Sequence, residues 1–365
     1  MDDGLNVDMI LFIRSTAINP DTRLEKYINY CKSKNIDYHI LGWMRKGDEP
    51  RKDLNISYFK LPASYGGGVK NILYLVLWFI FVFYNTFLLR KKIEFIHACD
   101  LDGMIGCTPF FNKIRVNFDV FDSYPESRFK KNSLIFNLSK RLESFCAKIS
   151  HRVIICEEER FQQIESLDIK KTLVLPNIPE TPNCDVLKKE RVCGSFTLSY
   201  VGVLSEGRGI EDLLKAVSEH PNIKLNIAGF GVLSNIVEEY SIKYDNINFF
   251  GKVGYDSAIA IQLNSDFICA FYYTSVPNHI YAAPNKFYES LYLDVPVVTN
   301  SGTFFSDKVS RMKTGVVIAE GKESICNFLS DIEEYLSQDF ENKDIWDNKY
   351  KDFVNSFMIN YFEGF

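Results

Sequence analysis

None of the nine cysteines, at positions 31, 99, 107, 146, 156, 184, 193, 269 and 326, forms a Cys-x-x-Cys pair, and no His/Cys cluster has structural-zinc spacing. Several lie in apolar runs such as 153–156, so reduced and mostly buried thiols in the cytoplasm are expected. Also missing are a Ser-centred nucleophile elbow, the Gly-Lys-Ser/Thr ending of a P-loop, any repeat and any low-complexity tract. The chain has no excess of basic residues: a formal charge of -5 argues against a general nucleic-acid binder. The opening Met1-Asp2-Asp3-Gly4 lacks the basic and apolar regions of a signal peptide, and export is not expected. With 46% apolar and 24% charged residues, disordered and collagen-like classes are excluded.

What is present is a chain of 365 residues, too long for one ordinary core. Short apolar runs at 8–13, 38–42, 95–98, 116–121 and 153–156 alternate with amphipathic stretches such as 23–34. That rhythm predicts a parallel sheet with helices on both faces. It restarts with 197–201, 224–228, 248–250, 267–271, 296–299 and 315–318, while 180–194 is polar and aperiodic. The expectation is α/β, with two doubly wound parallel-sheet domains at 1–180 and 195–345. Aromatic residues at spacings of three and four predict a terminal helix over 346–365 that packs on the body.

Two stretches of the first half are greasy. Residues 72–89 are almost wholly apolar and end at Arg90-Lys91-Lys92. Their length is at the lower edge of a membrane span, yet they fall where the rhythm requires a crossover helix. Residues 127–152 interleave Arg128, Lys130, Lys131, Lys140, Arg141, Lys148 and Arg152 with aromatic and aliphatic side chains, against the single acid Glu143. Such an element suits an anionic membrane surface, the preferred reading; a solvated helix face over a core helix is the alternative.

The most informative motif is Pro284-Asn285-Lys286-Phe287-Tyr288-Glu289, because it sets a cation and a carboxylate three residues apart at a helix start. An ammonium beside a helix N-terminus favours a diphosphate, and a carboxylate can accept both hydroxyls of a ribose. An exposed ion pair is the plainer alternative. Upstream, residues 198–209 read as a strand, a glycine-bearing loop with Arg208 and Gly209, and a helix start, a further place for a phosphate. Gly229-Phe230-Gly231 imitates a dinucleotide fingerprint, but Ser234 stands where the third glycine belongs. In the first half, His97, Asp100, Asp122 and Glu126 follow or end strands, where ligands of open sheets bind.

The order of these motifs resembles the GT-B glycosyltransferases of family 4, nucleotide-sugar-dependent and anomer-retaining enzymes of bacterial polysaccharide assembly. Asp21-Thr22-Arg23 looks like the family's Asp-x-Arg segment, and Ile96-His97-Ala98-Cys99-Asp100 like its Val-His-Ala-His-Asp. Residues 118–123 resemble Tyr-Asp-x-His-Glu, Pro176-Asn177-Ile178-Pro179 the Pro-Asn-x-Pro at the hinge, residues 202–209 the phosphate loop, and residues 284–296 the donor helix. The likeness covers nearly the whole chain. It implies a GT-B fold, in which two Rossmann-like domains face a cleft, and transfer from a UDP- or GDP-sugar, with retention and without metal or other cofactor. The acceptor it implies is a lipid-linked or growing surface saccharide, of capsule or O-antigen type, at the inner face of the plasma membrane. Arg208 and Lys286 would contact the diphosphate, Glu289 the ribose, and Gly229 to Gly231 with Lys252 and Val253 would line the base pocket, with Gly209 and Asn285 also on the donor side. Asp122, His97 and Asp100 would stand at the reacting centre, with Arg23 and Glu126 on the acceptor side. Departures are Tyr281, where the family often has a second glutamate, Val203 for an early arginine, Arg208 for a lysine, and Cys99 for the second histidine. They leave a non-catalytic nucleotide- or partner-binding module as the alternative; a sugar-nucleotide epimerase and then a dehydrogenase rank behind it.

Overall fold

The computed structural model describes residues 9–18, 21–63, 70–179 and 195–363. The polar stretch 180–194, expected as a linker, lies outside the described residues. Two compact units divide the chain: Met1–Pro176 with Phe357–Phe365, and Asn177–Ser356.

The first unit holds a seven-stranded sheet of β1 (Met9–Arg14), β2 (Tyr38–Met44), β3 (Ile56–Lys60), β4 (Ile93–Cys99), β5 (Arg115–Asp119), β6 (Arg152–Ile155) and β7 (Thr172–Val174). Their order is β3-β2-β1-β4-β5-β6-β7, and every pairing is parallel. Central strands covered on both faces need apolar residues without a break, and Ile10, Leu11, Phe12 and Ile13 of β1 are all enclosed. The chain winds outward from β1 to β3 and then returns to place β4 on the other side of β1. The switch point therefore lies between β1 and β4, where open sheets bind ligands beyond the strand ends.

The helix Lys70–Leu89 makes the crossover between β3 and β4. Trp78 and Val82 are enclosed, Trp78 stacks on Trp43 of β2 with centroids 5.7 Å apart, and its indole donates to the Asp102 carbonyl. Gly106 allows the close approach, since a Cβ there would stand 2.6 Å from that of Val82. The opposite face carries Leu73, Val76, Leu77, Ile80, Phe83, Tyr84, Phe87 and Leu88, all exposed, at spacings of one and three. Among the described residues no helix is long and apolar enough to cross a membrane. A second exposed apolar stripe, Leu134, Ile135, Leu138, Leu142 and Phe145, runs along the helix Leu134–Ile149.

The second unit repeats the design with six parallel strands: β8 (Phe196–Val203), β9 (Ile223–Phe230), β10 (Ile247–Phe249), β11 (Phe267–Cys269), β12 (Val297–Asn300) and β13 (Gly315–Ile318). The order β10-β9-β8-β11-β12-β13 puts its switch point between β8 and β11. The expected single terminal helix is instead broken. Trp346–Tyr350 is a wide turn whose Trp346 and Tyr350 side chains are enclosed within the second unit, and a helix follows over Phe353–Glu363. From Phe357 onward the chain belongs to the first unit, where Tyr361 is fully enclosed.

Candidate functional site

In the second unit, the loops after β8 and β11 meet at the switch point. Gly209, with φ 64°, starts the helix Ile210–Ser218, and a Cβ there would lie 2.9 Å from that of Phe271, so glycine is the residue that fits. Arg208, just before it, lies with its guanidinium carbon 4.3 Å from the Tyr272 ring centroid, and its Nε is enclosed without a hydrogen-bond partner. Tyr272 is held in place by Asn300, whose side chain accepts from the Tyr272 amide at 2.6 Å and donates to its carbonyl at 2.9 Å.

Lys286 lies in the first turn of the helix Asn285–Leu293, whose N-cap Pro284 supplies no side-chain hydrogen bond. Its side chain is enclosed, not exposed, and its ammonium stands 4.5 Å from the Tyr200 ring centroid with Gly202 alongside. Burial and the Arg208 guanidinium push its pKa down to about 8. Glu289, one turn on, is equally enclosed, and burial raises its pKa. Its Oε2 accepts from Gln262 Nε2 at 3.0 Å. Lys286 and Glu289 are thus not the surface ion pair that their spacing also allowed. Asn285 is exposed at the helix start.

The Gly-x-Gly turn has a backbone cause. A Cβ at Gly229 would fall 1.8 Å from the Gly202 carbonyl oxygen, and one at Gly231 2.2 Å from that of Leu204, because the turns after β8 and β9 press together. Beside it Val203, Phe230 and Phe250 leave an exposed apolar ledge at the strand ends, with the Lys252 ammonium 5.3 Å from the Phe230 centroid and Val253 next to it half-buried. Tyr281 packs on Phe304, centroids 5.2 Å apart.

In the first unit, Arg14 at the end of β1 donates to Asp21 at 2.7 Å and to Asp100. Asp100 opens the short helix Asp100–Met104 after β4 with φ 57°, a left-handed conformation held by the Arg14 contact and by the Phe121 amide donating at 3.0 Å. Burial raises its pKa to about 6 against the pull of Arg14. Ser15 donates to Asp102 at 2.7 Å, and the other Asp102 oxygen is enclosed without a partner. Asp122 is 58% exposed and accepts from Arg160 at 2.8 Å; Glu126 accepts from Gln163 at 2.8 Å. Glu143, the lone acid of the basic stretch, points inward and accepts from the Tyr124 amide, and burial lifts its pKa to about 7.

Two expected positions need correction. His97 does not face solvent: it is fully enclosed, with Nδ1 2.7 Å from the Tyr361 hydroxyl and Nε2 3.3 Å from Asp119. Arg23 is also interior, ion-paired with Asp119 at 2.7 Å and donating to the Leu175 carbonyl. Burial works to raise the Asp119 pKa, but Arg23 and His97 prevail and hold it at about 2. Both residues close a polar core beneath the terminal helix. Among the described residues no group of three His, Cys, Asp or Glu side chains could hold a metal ion. Tyr200, Tyr272, Asn300 and Gln262, which build the second unit's site, carry no local signal in the sequence; only their places after or within strands and helices mark them.

Residues 188–352 match the family model described as glycosyl transferases group 1. No curated protein sequence matches the chain significantly. Among solved structures, the chain is similar to a lipopolysaccharide outer core galactosyltransferase, WaaB, at 13% identity and TM-score 0.66, covering 98% of this chain and 100% of that one. It is similar to sucrose-phosphate synthase from Thermosynechococcus elongatus at 14% identity and TM-score 0.65, with 90% of each chain covered. The UDP-GlcNAc 2-epimerase of Methanocaldococcus jannaschii follows at 12% identity and TM-score 0.58, over 92% of this chain and 95% of that one. Two parallel-sheet units in this order are the GT-B fold. The group 1 match falls within the second unit and, on this fold, supports an enzyme that transfers sugars.

Proposed function

We propose that the protein moves a sugar from a UDP- or GDP-sugar to a lipid-linked or growing surface saccharide, with retention, as members of family 4 do. The observation that carries this is the pair of cations at the second unit's switch point. Lys286 has no hydrogen-bond partner among the described residues, and Arg208 keeps an enclosed Nε without one. Two close cations, of which Lys286 feels the Glu289 carboxylate without a hydrogen bond to it, favour an anion, and a departing diphosphate carries the charge that forms in the transition state. They stand where a metal would otherwise supply positive charge, so no metal is required in this reading. Glu289 takes the ribose hydroxyls, and the Val203, Phe230 and Phe250 ledge takes the flat face of the base.

The acceptor binds the first unit. There Asp100 and Asp122 remain as groups able to orient or deprotonate an acceptor hydroxyl. A lipid-linked acceptor is supported by the two exposed apolar helix faces, flanked by Arg90, Lys91, Lys92, Lys130, Lys131, Arg141 and Lys148. These suit the inner face of the plasma membrane, the first unit lying on its anionic surface. The test is incubation of the purified protein with detergent-solubilised lipid-linked saccharides and a panel of sugar nucleotides, with the anomer of the product read by NMR. Sugar transfer supports the reading, and nucleotide binding with no turnover on any acceptor would overturn it.

A further inference from the structure

We propose that Gln262 is a positioning residue for Glu289, fixing its carboxylate so that one oxygen is kept for the two hydroxyls of a nucleotide's ribose. This rests on the reading of Glu289 as the ribose-binding group. Gln262 lies on the helix Tyr255–Leu263, one residue from its end, and is 1% exposed. Its Nε2 donates to Glu289 Oε2 at 3.0 Å, the one hydrogen bond that the Glu289 carboxylate makes among the described residues. The amide oxygen, in contrast, is enclosed with no partner at all.

That orphan oxygen is the informative part. A buried acceptor left unpaired is costly, and a leucine of similar volume would remove the cost. The opposite amide orientation would set two acceptors face to face. The amide is therefore tied to the carboxylate at the expense of its own oxygen, which is the behaviour of a group kept for what it holds. An unconstrained glutamate three or four bonds from the helix would swing among rotamers, and ordering it would weaken binding. With Oε2 occupied by Gln262, Oε1 is the oxygen left to accept, and a cis-diol can offer both of its protons to one carboxylate oxygen.

The experiment compares binding of UDP and GDP with that of their 2′,3′-dideoxy forms by calorimetry, using the full chain. Wild type should bind the better ribonucleotide at least about tenfold more tightly than its dideoxy form, and Glu289→Ala should abolish the difference. Gln262→Leu should bring the ratio close to that of Glu289→Ala while leaving dideoxy affinity within about twofold. Gln262→Glu is nearly isosteric and separates positioning from packing. Protonated at acid pH it can donate as the amide does, so ribose discrimination should return near pH 5 and vanish by pH 8. A folded Gln262→Leu protein that keeps the wild-type ratio overturns the proposal, and if that variant does not fold, a pH-independent ratio in Gln262→Glu does so. No discrimination by wild type, or discrimination that survives Glu289→Ala, overturns the ribose reading and this proposal with it.

Discussion

The ammonium of Lys286 rests over the face of Tyr200, 4.5 Å from its centroid, in a spot where no carboxylate or carbonyl among the described residues accepts from it. A cation held there loses its hydration and is repelled by Arg208, and the ring and the Glu289 charge return only part of that, so its charge is costly until an anion arrives.

The first prediction concerns that cost. The folded pKa is about 8, below the ordinary 10.5, so between these values the unfolded chain binds the proton and the folded one does not. Stability then rises with pH across that window, and the penalty is fully present below pH 8. Lys286→Met should raise the unfolding free energy at pH 7 by roughly 1–3 kcal/mol, and the gain should fade by pH 10.5. Urea unfolding at both pH values checks this. In wild type, donor KM should climb as pH passes 8, where the ammonium discharges.

Arg208→Ala and Glu289→Ala should each weaken nucleotide binding by about 10- to 100-fold, since each removes a charge-assisted contact from an enclosed site. Arg208→Lys should recover only part of the loss, because the fork that fits two phosphate oxygens is gone. Equal donor affinity in all variants would refute the assignment.

Asp100 carries a pKa raised to about 6, and a carboxylate must be ionised to accept a proton. Transfer should fall as pH drops through 6, and Asp100→Asn should lower kcat by about 100-fold with donor KM little changed. Asp122→Asn should likewise slow transfer without much loss of donor binding. A pH–rate profile that keeps its acid limb in Asp100→Asn would remove that residue from the reaction.

Membrane attachment should depend on both apolar stripes and their basic flanks. Neutralising Lys130, Lys131, Lys140 and Arg141, or introducing Ile80→Glu with Leu138→Glu, should abolish flotation with vesicles rich in anionic lipid. The two leucine-type positions are 57% and 60% exposed, so neither change should lower the melting temperature much. Unchanged flotation would count against the surface reading.

Much of the fold was legible because buried parallel strands leave a plain trace. Runs such as 153–156 and 267–271 are apolar on both faces, and each supplies most of a strand, Arg152–Ile155 and Phe267–Cys269. The site was legible where its chemistry is local: Lys286 and Glu289 lie one turn apart at a helix start, and Arg208 precedes another. What failed was the environment of residues whose partners are remote. His97 lies at a strand end within a motif, but its enclosure comes from Tyr361, 264 positions away. Gln262 meets Glu289 across 27 positions and two helices, with nothing in either segment to announce it. Periodicity showed that 72–89 is a crossover helix or a membrane element; burial of Trp78 and Val82 beneath an exposed stripe shows one face of each kind on a single helix.

The Tyr361 hydroxyl accepts from Asn117 at 2.8 Å and meets His97, closing the polar core over β4 and β5. Tyr361 leaves the ribosome only after the entire second unit has been made. The first unit, though translated first, must wait with Asn117, His97 and the Arg23–Asp119 pair open to water until the final helix arrives. A chain truncated after residue 356 and released should therefore hold one finished unit, the second, and one unfinished.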